Sequence, residues 1–126
     1  MGLEDEVLYR KSVAWQRGME LTSAVYKLTR AFPADERFGL TNQLRRASVS
    51  IPSNIAEGKG RSSLGELIYF LGMARGSALE VGTQLEIASM QGFGDIDELC
   101  QAQDLISEIV KMLNASLATM RAKQRK

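Results

Sequence analysis

The stretch LGELIYFLGMARGSALEVGTQLEIAS, residues 64–89, decides the fold of this chain. Its apolar residues recur at alternating steps of three and four, the spacing that aligns side chains along one face of an α-helix. Ser63, followed three residues later by Glu66, is typical of a helix start, and Gly92 and Gly94 predict the helix end. The predicted core face of this helix consists of Leu64, Leu67, Leu71, Ala74, Ala78, Val81, Leu85 and Ala88.

Helical spacing of apolar residues also runs through three other parts of the chain, and Pro33, Gly58 and Asp95 mark breaks between them. No stretch shows the period of two that is typical of strands, so we predict an all-α fold. Four amphipathic helices joined by short loops favour an antiparallel up-and-down four-helix bundle. The predicted single domain has helices over about residues 8–32, 36–58, 63–91 and 95–121, and a charged tail over residues 122–126.

The second predicted helix contains Pro52, within the stretch RRASVSIPSNIAEG, residues 45–58. Proline has no backbone N–H, so the carbonyl of Ser48, four residues earlier, loses its usual donor. The apolar face nevertheless keeps its phase through Leu44, Ala47, Ile51 and Ile55. We therefore predict one helix that bends between Ser48 and Pro52, rather than two separate helices.

The polar side of the second helix predicts contact with a partner, because its short side chains let another surface come near. An ordinary solvated face is the alternative interpretation. The first helix has a second apolar stripe that exceeds what one bundle interior needs, and on the third helix Gly72, Gly76 and Ala78 favour close approach of a neighbouring helix. The candidate residues of an oligomer or partner interface are Arg45, Arg46, Ser50, Ser53, Asn54, Glu57 and Trp15.

Composition excludes several kinds of chemistry. The 126 residues include no histidine and one cysteine, Cys100, which excludes Ser-His-Asp catalysis, Cys-His catalysis and an internal disulfide. Di-iron bundles need Glu-x-x-His pairs, and the carboxylates form no spaced set, so we predict no enzymatic activity, no metal and no cofactor. We interpret Cys100, beside Leu99, as a structural residue. No apolar run is long enough to span a membrane and no secretory signal is present, so we expect a cytoplasmic protein.

Charge is unevenly distributed although the formal net charge is +1. The first two helices are rich in arginine and lysine, and the fourth is acidic until its tail, which favours contact with the phosphates of RNA. The alternative is that these side chains only face solvent, since no RNA-binding motif with stacking aromatics is present. The candidate nucleic-acid-binding residues are Arg10, Lys11, Arg17, Lys27, Arg30, Arg37, Lys59 and Arg61.

The segment FGLTNQLRRASVSIPSNIAEG, residues 38–58, closely resembles the signature of a bacterial family of four-helix-bundle proteins. These proteins are encoded within intervening sequences of large-subunit ribosomal RNA genes. The stretches VAWQRGMELTSAVYKLTRAFP and LGELIYFLGMARGSALEVGTQLEIA are similar to the same family, so the resemblance covers about residues 12–90. The resemblance implies a four-helix bundle with no established enzymatic activity. Known members form ring-like homopentamers, which implies a homopentamer here.

A related branch, the accessory proteins of diversity-generating retroelements, pairs a basic bundle surface with reverse transcriptase and RNA. The resemblance thus implies RNA or a nucleic-acid-handling protein as a partner, although that branch is strongly basic and this chain is close to neutral. Two hypotheses follow. The first is a non-enzymatic, homo-oligomeric assembly or scaffold protein. The alternative is an RNA-binding or reverse-transcriptase-accessory-like protein that uses repeated basic surfaces.

Overall fold

The computed structural model of the chain describes residues 8–125. Within these residues there are four α-helices and no strand, which confirms the predicted all-α fold. The helices are α1 (Val13–Thr29), α2 (Leu40–Lys59), α3 (Leu64–Gln91) and α4 (Ile96–Gln124). Short 3₁₀ helices precede the first two of them, at Leu8–Lys11 and Ala34–Glu36.

Each helix packs against two others, in the cyclic order α1, α2, α3, α4 and back to α1. Within residues 8–125, no Cα atoms of the diagonal pairs lie within 8 Å of each other. Short connections make successive helices antiparallel, so the starts of α1 and α3 lie at the same end as the last turns of α2 and α4. At that end, a Cβ added to Gly65 would lie 3.5 Å from Nε2 of Gln124. This arrangement is a four-helix bundle.

The core lies along the axis between the four helices. On α3 the predicted apolar face is buried from Leu71 to Ala88. On α4 the buried face passes through Ala102 and Ile109, whereas Gln103 and Val110, which the apolar spacing of three and four from Leu99 would also place on the core face, are half-buried. The difference has a simple cause: at the core edge the Gln103 amide keeps access to water, and burying it without a partner would be unfavourable.

The two ends of α3 are formed as predicted. The Ser63 hydroxyl accepts a hydrogen bond from the Glu66 N–H, at 3.1 Å. After the last turn, Gly92 has a φ of 71°, the left-handed conformation in which glycine commonly ends a helix. Gly94 has a φ of 81°, and a Cβ added there would lie 2.7 Å from Cδ1 of Leu28. This second glycine therefore lets the α3–α4 loop close onto α1.

The start of α2 differs from the prediction of a helix from about residue 36. Residues Ala34–Glu36 form a separate 3₁₀ helix, and Gly39, with a φ of −106° and a ψ of −116°, separates it from α2. The Glu36 carboxylate accepts a hydrogen bond from the Leu40 N–H, at 3.0 Å. Glu36, rather than a short capping residue, thus satisfies one free donor of the first turn.

The outer boundaries of α1 and α4 also differ from the prediction. The Ser12 hydroxyl accepts a hydrogen bond from the Trp15 N–H at 3.2 Å, so α1 begins at Val13 rather than near residue 8. At the other end of the chain, α4 continues to Gln124. Most of the charged tail predicted over residues 122–126 is therefore helical, although Lys126 lies outside the described residues.

Helix α2 passes through Pro52 as one continuous helix, as predicted. The hydroxyl of Thr22 on α1 lies 2.8 Å from the Gly18 carbonyl oxygen and 3.1 Å from the Ser48 carbonyl oxygen, so its proton is shared between them. This contact replaces the donor that Pro52 lacks. The proline ring packs against α1 at Gly18, where an added Cβ would lie 3.3 Å from Cβ and Cδ of Pro52. The ring of Pro52 thus lies where α1 and α2 approach closely. The bend of α2 between Ser48 and Pro52 stays a prediction.

Candidate interaction surfaces

The first surface is an apolar groove between α1 and α2, which we call the aromatic groove. Met19 and Val49 on opposite walls keep 48% and 42% of their surface exposed. The rings of Tyr9 and Trp15 pack edge to face near one end, with centroids 5.3 Å apart. Open apolar surface of this kind is typical of protein-binding sites. The groove is lined by Tyr9, Trp15, Met19, Thr22, Val49, Pro52, Ser53 and Ala56.

Arg45 lies beside the aromatic groove and is held by α1. Its Nε donates a hydrogen bond to Oγ1 of Thr29 at 2.9 Å, and its guanidinium carbon lies 4.7 Å from the centre of the Tyr26 ring. Thr29 in turn donates to the Val25 carbonyl oxygen at 2.7 Å. The side chain of Arg45 is therefore fixed between the two helices, whereas Arg46 on the next position is exposed.

The remaining interface candidates on α2 do not form one surface. Ser50 and Ser77 of α3 share a hydrogen bond of 2.8 Å, and Asn54 donates to the Ser50 carbonyl oxygen and hydroxyl at 2.8 and 2.9 Å. Ser50 therefore joins α2 to α3 within one chain, and Asn54 bonds to Ser50 from the same helix. Ser53 lines the aromatic groove together with Trp15, and Glu57 lies in the last turn of α2.

The second surface is the outer face of α3, which points away from the core. Contrary to the prediction, Gly72 and Gly76 face no helix of this chain, because a Cβ added at either would meet nothing within 4 Å; Ala78 alone lies in the core. Large apolar residues share this side of α3, and Met90 is 79% exposed. The outer face of α3 comprises Gly72, Met73, Gly76, Leu79, Thr83, Ile87 and Met90.

Charged residues are scarce on α3, and the exposed Glu80 and Glu86 lie at the margins of this outer face, toward α2 and α4 respectively. The 28 residues of the helix include only Glu66, Arg75, Glu80 and Glu86 as charged side chains. A helix that is apolar on nearly all sides is typical of one that is buried all round. In the described chain only one side of α3 is buried. The outer face therefore has the composition of a buried surface, although no part of the described chain covers it.

A third surface is the groove between α1 and α4, which is largely acidic. Arg17 crosses it: its Nε lies 3.0 Å from Glu108 and its terminal nitrogen 2.9 Å from Glu20. The hydrogen bond with Glu108, then the charges of both carboxylates, raise the pKa of Arg17. Cys100 lines this groove and is exposed, so its predicted structural role is wrong. Cys100 follows the buried Leu99, but successive residues of an α-helix point about 100° apart, so the Cys100 side chain points out of the core.

The predicted nucleic-acid-binding residues are separated by the fold into three places. Arg17 is engaged in the α1–α4 groove, so it is not available as an isolated positive charge. One group lies at the end of the bundle where α1 begins: Arg10, Lys11, Lys59 and Arg61. The other group lies at the opposite end, where α1 finishes: Lys27, Arg30 and Arg37. The candidates therefore do not make one continuous basic face.

One buried polar group was missed by sequence reasoning. Gln84 occupies a core-facing position of α3 and is 5% exposed. Its Nε2 lies 3.4 Å from Glu80, and its buried Oε1 has no partner among the described residues. In residues 8–125, no group of three histidine, cysteine, aspartate or glutamate side chains could hold a metal ion. None of the described helices has both the length and the apolar character needed to cross a membrane.

Comparison with known protein families matches residues 10–115 to the family described as 23S rRNA-intervening sequence protein. The chain belongs to this family. The match confirms the resemblance carried by the α2 signature and extends it into α4. The same fold occurs in a solved structure from Bacteroides thetaiotaomicron, which is described as a protein of unknown function from the S23 ribosomal protein family. It is 22% identical, with a TM-score of 0.74 over 83% of this chain and 98% of that chain. No curated protein matches the chain.

Proposed function

We propose that this 23S rRNA-intervening sequence protein is a non-enzymatic, cytoplasmic scaffold that assembles with copies of itself, as a homopentamer by family resemblance. The outer face of α3 carries the proposal. It is largely apolar, with Glu80 and Glu86 at its margins, and its two glycines face open space. In a helix interior each glycine costs about 1 kcal/mol relative to alanine. No contact within the described chain requires glycine at these two positions. Close packing of a second copy against the face would require it, and would compensate the cost to the helix.

The aromatic groove is the surface that best fits the outer face of α3 on a second copy. Met19 and Val49 project from the groove, and Gly72 and Gly76 leave a flat strip without side chains. Projecting side chains against a flat strip allow close packing of two helices. Both surfaces are largely apolar, so their contact buries no unpaired charge.

The two surfaces lie on different helices, so their contact is head-to-tail. A head-to-tail contact closes into a ring when its rotation divides a full turn evenly, and otherwise it gives an open filament. A two-fold contact of α3 with α3, or of groove with groove, would instead stop at a dimer. The proposed contact therefore agrees with the cyclic assembly that the family resemblance implies.

Two variants test the head-to-tail contact by sedimentation velocity. Gly76→Arg blocks the outer face of α3, and Met19→Arg blocks the aromatic groove. Both positions are exposed, so each variant should fold. We expect each variant alone to be monomeric and an equal mixture to form dimers, because one intact contact remains between unlike copies. Ala118→Arg, an equally exposed site on α4, is the control and should assemble like the unmodified chain.

Other outcomes of this experiment contradict the proposal. If Met19→Arg assembles normally, the aromatic groove is not the partner of the outer face of α3, and if Gly76→Arg assembles normally, the outer face of α3 has no role. A monomeric unmodified chain at a concentration of about 100 μM, well above the dissociation constants of stable assemblies, would remove the proposed scaffold altogether.

RNA binding, as in a reverse-transcriptase accessory protein, is the second candidate function. The observation that favours it is the basic group at the end of the bundle where α1 begins. In a ring each copy adds the same group, so weak phosphate contacts add up. Titration of structured RNA at increasing salt tests this function: we expect binding at low salt that weakens steeply as salt increases. Absence of binding at low salt, or binding without salt dependence, would contradict it.

A further inference from the structure

One end of the bundle collects basic side chains from four separate segments. Here α1 and α3 begin and α2 and α4 finish, and Gly65 of α3 lies close to Gln124 of α4. Tyr9 before α1 lines the same groove as Ala56 in α2. We call this surface the basic end. Its described basic residues, all exposed, are Arg10, Lys11, Lys59, Arg61, Arg121, Lys123 and Arg125.

Few carboxylates balance this charge. In the helix turns and loops of the basic end, the described acidic residues are Glu57 and Glu66, and both pair with Arg61. No ion pair within residues 8–125 involves the other six basic side chains. Three acidic residues near the chain start, at positions 4 to 6, lie outside the described residues. The described part of the basic end thus has a large excess of positive charge.

Helix dipoles explain only part of this excess. Lys59, Arg121 and Lys123 lie in the last turns of α2 and α4, where positive charge stabilises a helix. Arg10 and Lys11 instead precede the start of α1, whose first turn has no acidic residue. Positive charge is unfavourable at that end of a helix. The accumulation at the basic end therefore exceeds what the stability of the helices requires.

Aromatic side chains lie next to these cations. The Arg61 guanidinium carbon lies 4.9 Å from the centre of the Phe70 ring. Phe70 packs edge to face with Tyr69, with centroids 5.1 Å apart, and Tyr69 is 61% exposed. Bases of single-stranded nucleic acids stack on exposed aromatic rings in positively charged grooves, and Tyr69 is such a ring at the basic end.

We propose that the basic end binds single-stranded nucleic acid. Lys59, Lys123 and Arg125 hold phosphates, and Tyr69 stacks against an unpaired base. This inference rests on the second candidate function, RNA binding. Tyr69 lies one turn before Gly72 on the same side of α3, so it uses the part of that side nearest the basic end, beyond the strip of Gly72 and Gly76 proposed for self-assembly. In a cyclic assembly every copy presents its basic end on the same side, so one strand can contact several copies.

The site is tested by fluorescence anisotropy with a labelled, unstructured RNA strand of about 20 nucleotides, long enough to cover several contacts. Lys59→Gln/Lys123→Gln/Arg125→Gln removes three charges from the basic end. The matched control, Lys27→Gln/Arg30→Gln/Arg37→Gln, removes three exposed charges from the opposite end of the bundle. Salt is varied between about 50 and 200 mM, the range over which phosphate contacts weaken strongly. Sedimentation velocity and thermal unfolding of each variant show whether fold and assembly persist.

We expect the basic-end variant to bind at least about tenfold more weakly than the unmodified chain at low salt. Its slope of log affinity against log salt should fall by about 2, because each phosphate contact on a single strand contributes roughly 0.7. The opposite-end control should stay within about threefold of the unmodified chain, because salt screens charges farther from the RNA than the Debye length, about 10 Å at 0.1 M.

The aromatic contribution has its own matched pair. Tyr69→Ala should lower affinity about tenfold without changing the salt slope, because base stacking does not displace counterions. Phe38→Ala is the control, since Phe38 is 86% exposed beside Arg37 at the opposite end. An RNA duplex should bind more weakly than the single strand and should not respond to Tyr69→Ala.

Four results would overturn this inference, and they can be told apart. Equal weakening of RNA binding by the two triple variants means that affinity depends only on the net charge of the protein. Binding that only the opposite-end variant weakens places the site elsewhere and leaves RNA binding intact. Unchanged affinity of Tyr69→Ala refutes the single-strand preference. No binding by the unmodified chain at low salt refutes the inference and RNA binding together.

Discussion

Replacing Gly72 and Gly76 on the outer face of α3 by alanine should have opposite effects on the single chain and on its assembly. A Cβ at either position meets nothing within 4 Å, so the double variant introduces no clash within one chain. Alanine is favoured over glycine in a helix interior by about 1 kcal/mol, and two such changes should add to about 2 kcal/mol. For a domain of this size, the unfolding temperature of the monomer should rise by roughly 6–10 °C.

The same two methyl groups should weaken the assembly. They fill the strip that the aromatic groove of a second copy occupies in the proposed contact. Inserting methyl groups into a packed interface costs about 1–3 kcal/mol, which lowers the association constant by roughly five- to 150-fold. Gly82→Ala is the matched control: it also has open space around its Cβ, but it lines the groove between α3 and α4. It should stabilise the helix and leave association unchanged.

Urea unfolding of dilute protein measures monomer stability, and sedimentation equilibrium at higher concentration measures association. The reasoning is refuted if the double variant is more stable and associates as strongly as the unmodified chain, because the glycines then serve no contact. It is also refuted if the dilute double variant is less stable, since the space around both glycines would then be filled within one chain.

Two further predictions concern contacts within the chain. Gly94→Ala should destabilise the fold by about 2 kcal/mol or more, because Gly94 has a positive φ and a Cβ there would lie 2.7 Å from Leu28. Gly92 also has a positive φ, but a Cβ there would meet no neighbour, so Gly92→Ala should cost only about 1 kcal/mol. Urea unfolding of the two variants compares these free energies. Thr22→Val should cost about 1 kcal/mol, since the Ser48 carbonyl loses its only donor from α1, and unchanged stability would show that this contact is not needed.

The helices were predictable because each has a strong local pattern. The apolar spacing of α3, with Ser63 before it and Gly92 after it, is a signal contained within one segment. The start of α2 was misplaced because Asp35 after Pro33 resembles a helix cap, whereas the chain forms a 3₁₀ helix there and α2 begins after Gly39. Local signals of a first turn do not distinguish these two kinds of helix.

The interaction surfaces were only partly predictable, because they combine residues that are distant in sequence. Arg17 pairs with Glu108, 91 residues away, and no local pattern indicates that this arginine is engaged. Likewise, Lys59 and Lys123 meet at one end only once the four helices are packed. The small residues of α3 were noticed, but spacing alone cannot tell whether a neighbouring helix belongs to the same chain.

The scaffold proposal is tested most directly by the mass of the unmodified chain in sedimentation equilibrium over a wide range of concentrations. We expect one main species with five times the 13.9 kDa mass of a single chain, which dissociates to monomer only on dilution. A mass of 13.9 kDa at every concentration would contradict it, because the outer face of α3 would then remain exposed in solution.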